Sequence, residues 1–172
     1  MRYLFLALAV LCGSVAVAQT PESIRRADRE QEREVKTAAF VKTMDSVVLS
    51  HNFVFRPETY MVQPAGMSRV INNGDFNITV RNNYAYIYVP YLQGITPPES
   101  LVILNYTITV LDNYIARQTD DGWVVSFNTN LYSSNTYTFT FTVYSKTGEV
   151  NLDISSDFYS TVSYQGGLQP VY

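Results

Sequence analysis

Charged side chains crowd the start of the chain, and from Val47 onward apolar residues fall at every second position instead. Tyr137, Phe139, Phe141 and Val143 alternate with Thr138, Thr140, Thr142 and Tyr144, the pattern of a strand with one buried face and one threonine face. The same alternation recurs at 76–80, 106–110, 123–127 and 150–154, and more weakly near 50–55, 84–89 and 158–164. Asn73-Gly74, Asn82-Asn83, Asp121-Gly122 and Thr147-Gly148 separate the runs. These residue types accept the positive φ of tight turns, so neighbouring strands are expected to pair antiparallel. Residues 46–172 thus read as one mainly-β domain, an antiparallel meander of about eight or nine strands. That number favours curling the sheet into a barrel, because closure removes exposed edges.

Residues 19–45 read as a charged N-terminal helix. Twelve charged residues lie between Glu22 and Asp45, with Glu22/Arg26 and Glu32/Lys36 at i,i+4 spacing. Thr20-Pro21-Glu22 suits a helix start, where a missing N–H costs nothing and a carboxylate meets the positive end of the dipole. The first half, to about Glu34, has almost no apolar face, whereas Phe40, Met44, Val47 and Val48 share one side. Only the second half is expected to dock on a core. The first half then serves as a solvated entry segment or as an arm for a partner.

Residues 1–18 read as a signal peptide. Arg2 gives a positive start, Tyr3 to Cys12 an apolar run, and Ala16-Val17-Ala18 a small-residue site cleaved after Ala18. The apolar run is too short to span a bilayer. The expected location is a bacterial periplasm or the cell exterior. Cys12, the only cysteine, lies in this segment, so the mature chain has no thiol chemistry and no disulfide. Lipidation of Cys12 is the competing fate, disfavoured because Leu11 stands where that signal takes a small residue. Cleavage leaves 154 residues with 11 basic and 15 acidic side chains, a balance that argues against a nucleic-acid partner.

Candidate chemistry is sparse. His51 is the only histidine and reads as a rim imidazole rather than a catalytic base. Asp75, Asp112, Asp153 and Asp157 read as turn or outward positions, and Asp120-Asp121-Gly122 as a hairpin turn rather than a calcium corner. No phosphate loop, HExxH or GxSxG occurs, so neither an enzyme nor a cofactor or metal is expected. Fourteen tyrosines and one tryptophan are the main resource. Tyr88, Tyr91 and Trp123 are the candidate ligand-binding residues, offering flat rings to a small apolar or carbohydrate ligand at the barrel mouth. Tyr88-Val89-Pro90-Tyr91 and the proline-rich loop Gln93 to Ser100 are expected at that rim. The inward candidates Tyr106, Trp123, Phe127, Tyr137, Phe139 and Phe141 are large and favour a filled barrel over a hollow one.

Several segments, in order, resemble an exported bacterial family, domain of unknown function 4251. They are Val89-Pro90-Tyr91-Leu92-Gln93-Gly94, Trp123 to Phe127, Tyr137 to Phe141, Thr147-Gly148 and Val162-Ser163-Tyr164-Gln165-Gly166. The resemblance runs from about Lys36 to Gly166. It implies an N-terminal helix followed by a lipocalin-like antiparallel barrel, and no established activity. Phe158-Tyr159 stands where that family usually carries asparagine and arginine. Two functions are therefore expected: a non-enzymatic exported binding module for a small ligand, or a structural domain that contacts an envelope protein. No membrane-spanning segment is expected in either.

Overall fold

A computed structural model describes residues 21–64, 66–82, 84–93, 100–131 and 135–171. The expected signal peptide and the proline loop at 94–99 lie outside the described residues. The chain divides into two compact units, Met1–Lys36 and Thr37–Tyr172.

Helix α1 spans Pro21–Leu49. Within the first unit its residues 22–36 are exposed on every side, and Lys36 pairs with Glu32 at 3.8 Å in full view of solvent. Such a pair contributes little to stability. No helix among the described residues is long and apolar enough to cross a membrane. In the second unit the end of α1 is a docking element. Met44, Val47 and Val48 are buried, and Asp45 accepts hydrogen bonds from Trp123 Nε1 at 2.8 Å and Ser145 Oγ at 3.2 Å. Burial of Val47 and Val48 carries the helix four residues past the expected end at 45. Ser50 Oγ then donates to the Val47 carbonyl, and His51, at φ 54°, turns the chain into the sheet.

The strands are β1 (Asn52–Val62), β2 (Arg69–Val70), β3 (Asn77–Arg81), β4 (Tyr84–Gln93), β5 (Ser100–Ile108), β6 (Asp112–Thr119), β7 (Gly122–Leu131), β8 (Asn135–Tyr144), β9 (Glu149–Ser156) and β10 (Val162–Pro170). Nine of them form one antiparallel path, β5-β4-β3-β1-β10-β9-β8-β7-β6, with β2 paired to β1 beside it. The meander is cyclic apart from one break. First and last strands pair from Phe53↔Pro170 to Val62↔Val162, and the free edges are β5 and β6. Residues 109–111 join those edges, so at that point they lie no more than about 14 Å apart. The sheet is therefore a curled half-barrel with a seam that starts at this link.

Local chemistry explains where the sheet bends. The register of β1 against β10 shifts between Pro57 and Thr59, and β10 passes there with Gly166. A Cβ on Gly166 would collide with the Arg56 carbonyl, so no other residue permits this approach. At the seam, Asn113 has φ 52° and the β6–β7 register shifts between Asp112 and Ile115. This bulge interrupts the β6–β7 ladder beside the link to β5.

The apolar rows point inward, the reverse of an outer-membrane barrel, whose apolar band faces lipid. In β8 the alternation is strict from Asn135 to Tyr144. Phe141 meets Phe53 and Phe55 edge-on, each at 5.7 Å, while Phe127 stacks on Phe139 at 5.0 Å. These rings are fully buried and fill the interior. Edge-on and offset contacts suit the ring quadrupole and add to the area term. Further details of the sheet differ from the sequence reading. The last strand starts at Val162 rather than near 158, Val110 lies beyond β5 and is exposed, and β6 was not among the expected runs.

The anchor of α1 is testable. Asp45→Ala removes the acceptor of two hydrogen bonds, and such bonds to a charged group contribute about 1.5–3 kcal/mol each. Urea unfolding should show a loss of roughly 3 kcal/mol or more, with the emission of Trp123 shifted to longer wavelength in the folded state. An unchanged midpoint and spectrum would remove Asp45 as the anchor.

Candidate functional site

The site follows from where strands run out of partners. β3 pairs with β4 only from Asn77↔Tyr88 to Arg81↔Tyr84, so residues 89–93 of β4 have β5 on one side alone. A proline is tolerated at position 90 because no β3 ladder needs its missing N–H. β1 turns to β2 at Thr59↔Val70, so β1 and β4 share no neighbour at this end. Two phenols bridge the gap instead. Tyr164 of β10 donates to the Pro90 carbonyl at 2.6 Å, and Tyr91 donates to the Ser160 carbonyl at 3.2 Å. Tyr60 stacks on Tyr164 at 6.3 Å.

The seam opens beside these ties. The β6–β7 ladder begins at Asp112↔Asn128, leaving residues 129–131 of β7 without a β6 partner. A cleft of about 300 Å³ lies here, lined by Tyr91, Gln93, Val102, Ile103, Leu104 and Tyr137. Tyr91 and Tyr137 meet at 5.8 Å and 68° and form its buried floor, while Ile103, 48% exposed, forms the rim. None of the six carries a charge. The arrangement offers flat rings, aliphatic walls and one amide, which suits binding of a neutral ligand and supplies no acid, base or nucleophile. A separate depression of about 260 Å³ on the outer face is polar, with Gln63 donating to Ser163 and Ser163 to Asp153.

The three residues expected to share a ligand do not meet. Tyr88 and Tyr91 are three apart in one strand and so face opposite ways. Tyr91 enters the cleft, whereas Tyr88 lies on the outer face, with its ring 5.1 Å from Phe76 and 6.4 Å from Tyr86. Trp123 is paired to Val143, six residues along β8 from Tyr137, a distance of about 20 Å, and is tied to Asp45. Tyr137 and 102–104 supply the cleft instead. The signal for 102–104 was present in Ser100 to Ile108, an apolar run without a charge directly after the prolines. His51 lies at the α1–β1 turn with its ring 4.3 Å from Tyr114, and Asp75, Asp112, Asp153 and Asp157 do not enter the cleft.

Burial sets the titration of the phenols. Tyr114, whose buried oxygen has no hydrogen-bond partner among the described residues, is pushed up to about 12 by desolvation. Tyr164 is raised by burial first, then by Tyr91 and Tyr60, and Tyr91 by burial, then by Tyr137 and Tyr159. A tyrosine held above its unfolded value of about 10 favours the folded state fully below that pH, and the benefit fades as pH rises from there through the folded value. Denaturant midpoints should be level from about pH 7 to 9 and fall steeply above about pH 10. Absorbance at about 295 nm should show part of the tyrosines ionising only with unfolding. Full reversible titration near pH 10 with the fold intact would contradict the burial of these phenols.

Comparisons with known proteins agree with this architecture. The family model described as Domain of unknown function (DUF4251) matches residues 35–168. A crystal structure of a DUF4251 family protein from Bacteroides eggerthii DSM 20697 superposes with a TM-score of 0.59 at 16% identity, covering 78% of this chain and 91% of that one. That likeness concerns the fold. No curated protein matches the chain. The match over 35–168 takes in β1 to β9, most of β10 and the docking end of α1, and the chain belongs to the DUF4251 family.

Proposed function

We propose that this protein is a non-enzymatic exported binding module, working in the periplasm or at the cell exterior, that takes a neutral ligand at the seam of its half-barrel. The observation that carries the reading is the uncharged cleft between Tyr91, Tyr137 and residues 102–104 in a sheet whose interior is otherwise filled by phenylalanine rings. The buried rings pack against one another, and the cleft opens where the wall is incomplete. An aromatic or sugar face fits the tyrosine floor, and the Gln93 amide provides one directional polar contact.

A second reading rests on a different observation, the full exposure of residues 22–36. In it the filled sheet is a rigid base and the charged helix contacts an envelope protein.

One experiment separates the two. Calorimetric titration with phenyl β-D-glucopyranoside, which carries both a flat ring and a sugar, should give saturable binding. Gln93→Ala and Ile103→Lys should weaken it by about tenfold or more, or about 1.4 kcal/mol, whereas Trp123→Phe, distant from the cleft, should leave it unchanged. Equal affinity in all three variants would sink the cleft and leave the helix as the working surface.

A further inference from the structure

The edge that borders the cleft is unprotected. Sheet edges in natural proteins are blunted by charges, proline, bulges or brevity, because a row of unpaired N–H and C=O groups pairs with any strand that meets it. β6, the other edge, has such devices in Asp112, Arg117 and its bulge. β5 has none. Its nine residues, Ser100 to Ile108, include no charge and no proline, pair with β4 alone among the described strands, and expose Leu101 at 57% and Ile103 at 48%. The same stretch, 102–104, walls the cleft.

We propose that the ligand of this site is an extended, uncharged polypeptide segment that adds as a strand to the free edge of β5 and lodges an apolar side chain in the cleft. The inference rests on the cleft reading above and names its ligand class. Strand addition draws affinity from main-chain hydrogen bonds and specificity from pockets that receive alternate side chains. Here the main-chain groups belong to residues 100–104, and the pocket is the Tyr91–Tyr137 floor beside them. Side chains of an added strand alternate between the two faces, so one enters the cleft on the face of Tyr91 and Val102 while its immediate neighbours, on the opposite face, cover Leu101 and Ile103. Charge matching narrows the occupant. Among the described residues neither the edge nor the lining carries a charge, and a charged side chain buried there without a partner would be costly.

The test uses the whole protein and the peptide acetyl-Thr-Phe-Thr-Val-Thr-Val-amide, with a counterpart N-methylated at alternate residues. Binding is followed by calorimetry and by backbone amide shifts. The unmodified peptide should bind saturably and move the amides of 100–104, and the N-methylated peptide should bind at least about tenfold more weakly. Equal binding of both peptides would overturn strand addition while leaving the cleft in place. No peptide binding at about 1 mM alongside binding of phenyl β-D-glucopyranoside would also overturn it, without touching the cleft reading. Failure of both ligands would end both. A concentration-dependent dimer with the same amides protected in the absence of peptide would assign the edge to a second copy and overturn the proposal as well.

Discussion

The gap between β1 and β4 beyond the end of β3, and the phenols that span it, govern the rest of the molecule. Strands β1 and β4 are linked through β3 at one end and lose that link at the other, because β3 is only five residues long. The hydrogen bond from Tyr164 to the Pro90 carbonyl joins β10 to β4 across that gap, over 74 residues of sequence. Left unmet, a buried carbonyl costs about 1–3 kcal/mol, a large share of the stability of a domain this size. The tie therefore fixes where β4 lies after Tyr88, and with it the position of Tyr91, whose own phenol is anchored to Ser160.

From that placement the cleft follows. β5 is held only by β4, so the same ties that position β4 position the free edge and the wall at 102–104. Tyr137 reaches the cleft from β8, which is fixed independently by its ladders to β7 and β9 and by the contacts of Phe139 and Phe141. One wall of the site thus depends on hydrogen bonds and the other on ring packing. At the far end of β8, the Asp45 anchor holds Trp123 and the end of α1. Its role is structural, which explains why the sole tryptophan does not join the other aromatic candidates.

Much of this was legible in the sequence where one physical term dominates. Strict alternation in β8 and β9, and Met44, Val47 and Val48 on one helix face, reflect burial alone, and the structure places them as expected. β6 was not legible. Asp112 to Thr119 buries little, its inward residues are Tyr114 and Ala116, and a bulge breaks the period, so no hydrophobic signal marks it. The candidate site was half legible. Tyr91 is legible because it stands just before the proline-rich loop that the sequence places at the rim. Tyr88 was grouped with it although a spacing of three puts the two on opposite faces. Tyr137 was read as core because burial and cleft lining coincide in one ring. What no local pattern carries is the seam itself, which depends on two strands adjacent in sequence failing to pair.

The central claim is that the phenol of Tyr164 holds the free half of β4 and so shapes the cleft. Tyr164→Phe removes one oxygen and keeps the ring stacked on Tyr60, and amide hydrogen exchange of this variant against the parent protein is the most direct test. The account predicts a stability loss of about 1–3 kcal/mol together with faster exchange concentrated in residues 89–93 and 100–104, with β8 and β9 unchanged. Equal stability and an unchanged exchange pattern in β4 and β5 would contradict it.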